Sequence, residues 1–137
     1  TNIMFANGMM HVMIEEGLID EKFIAERTEG FEELKEIVKE YTPEYVAEVC
    51  HIDKDKLVEA ARMYASAEKA PIIYCLGVTE HSTGTEGVMS MSNMAMLCGK
   101  LGRPGCGVDR TMSRAPAIWE RSPPTFRDIR RLQIPKW

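Results

Sequence analysis

The sequence predicts an α/β domain that is mostly helical, with one buried parallel strand. Two observations carry this prediction. Up to residue 108, apolar residues recur mainly at spacings of three and four, which is the period of a helix. The segment APIIYCLGV, residues 70–78, is instead continuously apolar and bounded by Pro71 and Gly77, which is typical of a strand buried on both faces of a parallel sheet. One strand does not make a sheet, so we expect the rest of the fold to lie outside this chain.

Five helices are predicted before this strand, and turn or capping residues separate them. A helical stripe over residues 3–16 is ended by Gly17, and Gly30 precedes a third helix whose apolar residues recur from Phe31 to Tyr41. Residues whose side chains cap helix N-termini precede the other helices: Asp20, Thr42 followed by Pro43, and Asp53.

The strand is followed by a polar loop and a further helix. The loop is TEHSTGT, residues 79–85, and Thr85 is expected to cap a methionine-rich helix that continues to Cys98. The glycine-rich segment GKLGRPGCG, residues 99–107, closes this helix. It is a weak candidate for a phosphate-binding loop, because it lacks the G-K-[ST] ending and no helix is predicted after it.

Composition excludes several classes of function. A net charge of −4 argues against a nucleic-acid-binding domain, and no run of about 18 apolar residues predicts a membrane span. The N-terminus TNIMFANGMM lacks a secretory signal and an initiator Met, so we expect a cytoplasmic protein cut from a longer one. The four cysteines show no C-x-x-C spacing, so neither a zinc nor an iron–sulfur site is predicted within the chain.

The loop after the strand is the candidate binding site. In open parallel sheets, ligands bind outside the carboxyl ends of the strands. Gly77 would let a ligand approach the backbone, Thr79 and Ser82 supply hydroxyl groups, and Glu80 and His81 supply ionisable groups. Glu80 and His81 are not expected to act as an acid–base pair, because adjacent residues at a strand end point to opposite sides. The alternative is a turn that only caps the next helix.

Two long segments resemble a known family. They are EEGLIDEKFIAERTEGFEELKEIVKEYTPEYVAEV and AARMYASAEKAPIIYCLGVTEHSTGTEGVMSMSNMAMLCGKLGRPGCGV. Both resemble the catalytic subunit of molybdopterin-dependent formate dehydrogenases, and the phrase ERTEGFEELKEIVKEYTPE is especially similar to that branch. Other molybdopterin oxidoreductases, such as periplasmic nitrate reductases, resemble these segments less closely.

The resemblance implies that the chain is part of a Rossmann-like domain. In the family, this domain holds half of a bis-molybdopterin guanine dinucleotide cofactor with molybdenum or tungsten. The family motif G-M-G-V/I-T-Q contacts this cofactor, and it matches Cys75, Leu76, Gly77, Val78, Thr79 and Glu80. Leu76 stands in place of Met, a change that conserves volume. Glu80 stands in place of Gln, which brings a carboxylate to the position that faces an anionic pyrophosphate.

The resemblance also implies a reaction and partners. The family oxidises formate to carbon dioxide, with hydride or proton abstraction at the pterin-bound metal, and electrons leave through iron–sulfur clusters. The expected partners are the rest of the catalytic subunit and its electron-transfer subunits. The [4Fe–4S] cluster and the catalytic residues of the intact subunit have no counterpart here, so the chain is expected to contribute to the cofactor pocket and to supply no catalytic residue and no metal ligand.

The last residues, 109–137, differ in kind from the rest. They carry six arginines and four prolines without a hydrophobic period. The codons of Thr111–Trp137 can be read one base out of frame, with suitable third bases, as NVQGACDMGALPPNVPGYQKVADPEV. The first ten residues of this shifted sequence match the stretch that follows in the family. Met112 and Trp119 have a single codon each, and both codons agree with the shifted reading. We therefore expect a partial domain over 1–108 and a disordered, out-of-frame tail over 109–137. A basic nucleic-acid-binding arm is the less favoured interpretation.

The sequence thus predicts a fragment of a formate dehydrogenase. The alternatives are a catalytically inactive remnant or interaction module, and a fragment of another molybdopterin oxidoreductase such as a nitrate reductase. The chain by itself is expected to be inactive.

Overall fold

The computed structural model describes residues 2–110, which form helices with a small parallel sheet. The elements in chain order are α1 (Asn2–Glu15), α2 (Glu21–Arg27), α3 (Phe31–Val38), α4 (Pro43–Cys50), α5 (Lys54–Ser66), β1 (Pro71–Tyr74), α6 (Leu76–Thr79), α7 (Gly84–Leu97) and β2 (Gly107–Arg110). The mostly helical content expected from the sequence is confirmed.

The capping residues in the sequence correctly predicted where three of the helices begin. The carboxylate of Asp20 accepts a hydrogen bond from the amide of Phe23 at 2.9 Å, and this bond begins α2. The hydroxyl of Thr42 accepts one from Tyr45 at 3.3 Å, with Pro43 in the first position of α4. Asp53 caps α5 by accepting hydrogen bonds from two amides of its first turn. Each cap satisfies amides that have no partner within the helix.

The prediction that Thr85 caps the last helix is wrong. The helix α7 begins at Gly84, two residues earlier than a cap at Thr85 predicts, and Thr83 occupies the capping position without a side-chain hydrogen bond to the helix. The helix starts early because the preceding residues already turn: the amide of Gly84 donates to the carbonyl of His81 at 2.9 Å.

The core surrounds α1. Met10 and Met13 of this helix are fully buried, and α1 packs against α5, α7 and α4. Gly8 allows the closest approach, because a methyl group added there would lie 3.0 Å from Val46 and 3.2 Å from Leu57. The side chains from α4 and α5 therefore pack directly on the backbone of α1.

The sheet differs from the predicted single strand. β1 pairs in parallel with β2, in a register that joins Pro71 to Gly107 and Tyr74 to Arg110. β1 ends at Tyr74, four residues earlier than expected, and Ile73 is 50% exposed, so the strand is not buried on both faces. The predicted boundary at residue 108 lies inside β2, and the rest of the predicted out-of-frame tail lies outside the described residues.

Sequence reasoning missed β2 because GVDR is short and half polar, and only its pairing with β1 makes it a strand. Within residues 2–110, no helix has both the length and the apolar character needed to cross a membrane.

Candidate functional site

The predicted site residues lie together after β1, but they form a helical turn and not an extended loop. Cys75 is extended, with φ −145° and ψ −155°, and Leu76–Thr79 form α6. The amide of Val78 donates to the carbonyl of Cys75 at 3.0 Å, and that of Glu80 donates to Leu76 at 2.9 Å. The apolar residues of this segment continue the pattern of the strand, so the sequence did not reveal the turn. We refer to Cys75–Glu80 as the strand-end motif.

The strand-end motif presents an open surface at its first turn. Leu76 is 42% exposed and Gly77 is exposed. A methyl group added to Gly77 would meet no atom within 4 Å, so the backbone at this position can be approached closely. Cys75 departs from the family motif as well, since the motif has glycine there; its extended backbone accommodates a side chain without strain.

Two side chains from outside the motif contact its backbone. The carbonyl of Gly77 accepts a hydrogen bond from Nδ2 of Asn2 at 3.4 Å and lies 3.1 Å from Nε2 of His81. His81 therefore folds back on α6. The contact of His81 holds this side chain against α6. The bond from Asn2 ties α6 to the start of α1.

The N-terminal turn of α7 packs directly against the motif. A methyl group added to Gly84 would overlap the carbonyl oxygen of Thr79 and lie 2.8 Å from its carbonyl carbon. One added to Gly87 would lie 3.1 Å from Cγ1 of Val78. Sequence reasoning did not single out these glycines. The signal that could have found them is their spacing of three, which puts both on one face of a helix.

Unpartnered polar atoms lie beside this contact. Oγ1 of Thr79 and Oε2 of Glu86 are both buried and have no hydrogen-bond partner within the described part of the chain. Buried polar atoms are normally hydrogen-bonded, so these two oxygens lack a partner that an ordered water or a bound group would supply. The combination of an open glycine, an exposed leucine and an available hydroxyl fits an elongated ligand with apolar and polar parts.

No metal site is present in residues 2–110, where no group of three or more His, Cys, Asp or Glu side chains could hold an ion. The thiol of Cys98 is buried and lies 3.6 Å from the sulfur of Met13. Burial raises the pKa of this thiol to about 11, an effect that the nearby ammonium of Lys100 partly offsets. Cys98 is therefore a protonated packing residue at neutral pH.

The glycine-rich segment 99–107 has a structural role and does not form a phosphate-binding loop. Nζ of Lys100, which is only 2% exposed, donates to the carbonyls of Ala65 and Ala67. The guanidinium of Arg103 donates to the carbonyl of Glu68 at 3.2 Å. These donors satisfy carbonyls at and just beyond the end of α5.

Comparison with known proteins identifies the family. A family model described as molybdopterin oxidoreductase matches residues 1–115. The chain is 50% identical to the F420-dependent formate dehydrogenase subunit alpha of Methanocaldococcus jannaschii over 109 residues, which are 80% of this chain and 16% of that protein. It is 48% identical to formate dehydrogenase H of Escherichia coli, over 80% of this chain and 15% of that protein.

Among solved structures, acetylene hydratase from Pelobacter acetylenicus is similar, with a TM-score of 0.54 and 33% identity over 71% of this chain and 12% of that one. The chain thus spans about a sixth of the length of the curated relatives it matches. With a family match over most of its length and half of its aligned residues shared with formate dehydrogenase alpha subunits, the chain belongs to the molybdopterin oxidoreductases.

Proposed function

We propose that this chain is part of the catalytic subunit of a formate dehydrogenase and forms one wall of its cofactor pocket. The observation that carries the proposal is the 50% identity to a formate dehydrogenase alpha subunit over 109 residues. Because the chain covers 16% of that relative, the substrate-binding and catalytic groups of the intact enzyme would come from other parts of the subunit.

The strand-end motif is the proposed contact with a molybdenum- or tungsten-bound pterin guanine dinucleotide. Gly77 would let the ligand lie against the backbone, Leu76 would cover its apolar part, and the hydroxyl of Thr79 would donate to a phosphate oxygen. Cys75 and Val78 would hold the turn in place, and Glu80 would limit affinity because its carboxylate repels an anionic ligand. When bound, the cofactor supplies the two-electron redox chemistry of formate oxidation.

Within the whole enzyme, the two-stranded sheet would be the edge of a larger Rossmann-like domain. The exposed face at Ile73 supports this proposal, since parallel sheets are normally covered on both faces. The proposed partners are the remainder of the subunit, with its [4Fe–4S] cluster, and electron-transfer subunits. We propose a cytoplasmic location for this assembly.

Binding and activity test the proposal separately. The 137-residue chain is titrated with GDP, which carries the guanine and diphosphate groups of the cofactor, and Gly77→Val serves as the variant that fills the open space. We expect binding by the unmodified chain and at least tenfold weaker binding by the variant. If the unmodified chain does not bind GDP, the proposal that it forms part of the cofactor pocket is refuted.

A chimera tests the substrate. Residues 1–108 replace the matched segment of the Methanocaldococcus jannaschii subunit, and the purified enzyme is assayed for formate oxidation. Retained activity supports a formate dehydrogenase origin. A chimera that binds the cofactor without oxidising formate would favour another molybdopterin oxidoreductase, such as a nitrate reductase. A similar segment occurs in acetylene hydratase, an enzyme with a different reaction.

An inactive remnant or interaction module is the second candidate. We further propose that residues 109–137 are translated out of frame. Sequencing of the coding DNA tests this: the third bases from Thr111 onward must spell the shifted reading, and any other set of bases refutes it.

A further inference from the structure

We propose that Gly84 is a positioning residue that sets the orientation of the strand-end motif toward its ligand. The inference rests on the proposed function, because it takes this motif as the cofactor contact. It adds a residue outside the motif, in a different helix, as the element that fixes where the motif lies.

The contact at Gly84 is made with main-chain atoms. A methyl group there would overlap the carbonyl oxygen of Thr79 and approach its carbonyl carbon to 2.8 Å and its Cα to 3.0 Å. At Gly87 the nearest atom is instead Cγ1 of Val78, and at Gly8 the nearest atoms belong to the side chains of Val46 and Leu57. Side chains can change rotamer to relieve a clash, whereas a backbone carbonyl moves only with its whole peptide unit.

A displacement of Thr79 would also move the other residues of the strand-end motif. The single turn of α6 is closed by the bonds from Val78 to Cys75 and from Glu80 to Leu76, so it moves as one unit. On its other side, the pairing of β1 with β2 fixes Tyr74. A shift at Thr79 would therefore rotate α6 about Cys75, and would change the positions of the open backbone at Gly77 and of the available hydroxyl of Thr79.

The geometry predicts the size of the effect. Ordinary contact between a carbon and an oxygen atom requires a little over 3 Å, so a methyl group at Gly84 would push the Thr79 carbonyl by about 1 Å. A misplacement of about 1 Å can lower an enzyme's rate about a hundredfold, and contacts to a bound ligand depend on position in the same way. We expect GDP affinity to fall at least tenfold in Gly84→Ala.

The experiment compares Gly84→Ala with Gly8→Ala in the 137-residue chain. Both variants add one methyl group at a tight helical glycine, but Gly8 lies against core side chains, away from the motif. GDP affinity is measured by calorimetry, and the amide chemical shifts of residues 76–80 are measured without ligand. Gly84→Ala should weaken binding and move these amide signals. Gly8→Ala should lower the urea midpoint while leaving affinity within twofold and the signals unchanged.

Each outcome decides the proposal. Unchanged amide signals at residues 76–80 in folded Gly84→Ala overturn it, as does GDP affinity within twofold of the unmodified chain. If the unmodified chain binds no GDP, the proposal that this chain contacts the cofactor is wrong. The amide signals of residues 76–80 still decide whether Gly84 positions the motif. If Gly84→Ala does not fold as the 137-residue chain, the same substitution is made in the chimera with the Methanocaldococcus jannaschii subunit, and a cofactor content equal to that of the unmodified chimera overturns the proposal.

Discussion

Replacing Lys100 with Met tests whether the glycine-rich segment holds the end of α5. Lys100 is 2% exposed, and its ammonium donates to the carbonyls of Ala65 and Ala67. The same ammonium lies 5.4 Å from the centre of the Tyr64 ring. Met has nearly the same length and volume, so Lys100→Met removes the donor and the charge while it keeps the packing of the stem.

The expected loss follows from the contacts that the ammonium makes. A hydrogen bond to a charged group contributes about 1.5–3 kcal/mol in mutational series, which already include the cost of burying the charge. The second bond, at 3.3 Å, is longer and weaker, and a cation at a helix C-terminus adds about 0.3–1 kcal/mol. Better burial of the thioether offsets part of this sum. We expect Lys100→Met to lower the free energy of unfolding by about 2–3 kcal/mol.

Urea unfolding followed by circular dichroism measures the loss. With an m-value of about 1–3 kcal/mol/M, the midpoint should fall by roughly 0.7–3 M. Lys22→Met is the matched control, because Lys22 is exposed on α2, and its effect should stay within about 0.5 kcal/mol. A Lys100→Met variant as stable as this control would refute the view that the buried ammonium caps α5.

Three further predictions follow from burial and charge. Burial raises the pKa of Cys98 to about 11, above that of an exposed thiol, so the unfolded chain loses this proton first as the pH rises. The free energy of unfolding should therefore fall by about 2 kcal/mol between pH 9 and 11, and Cys98→Ala should remove that part of the decline in urea titrations. Leu57→Ala, at a site 1% exposed, should cost about 2–5 kcal/mol in the same assay. Glu80→Gln should raise GDP affinity about two- to fivefold at low salt, and less at high salt, when measured by calorimetry.

Each of these has a distinct contrary result. An alkaline decline of the same slope in Cys98→Ala would assign the effect to other groups, such as Tyr64, whose pKa burial also raises. A loss below about 1 kcal/mol in Leu57→Ala would show that the contact between α1 and α5 is not tightly packed. GDP affinity unchanged in Glu80→Gln at low salt would place the carboxylate away from the phosphates.

The sequence by itself determined the helices and several of their starting points. Asp20, Thr42 and Asp53 cap α2, α4 and α5 as expected, because each cap bonds to an amide only two or three residues away. Such signals are complete within a few residues of chain. The family was readable for a related reason: the resemblance rests on the order of residues along the chain, over a family match of residues 1–115, and needs no knowledge of their contacts.

Only the tertiary structure decided the arrangement of the candidate site. β2 becomes a strand by pairing with β1, and the donors of Lys100 and Arg103 meet carbonyls more than thirty residues earlier in the chain. The strand-end motif forms a helical turn, and Gly84 packs against the carbonyl of Thr79. These features depend on which segments meet in space. Hydrophobic period and local capping carry no information about that, because both describe only the near neighbours of a residue.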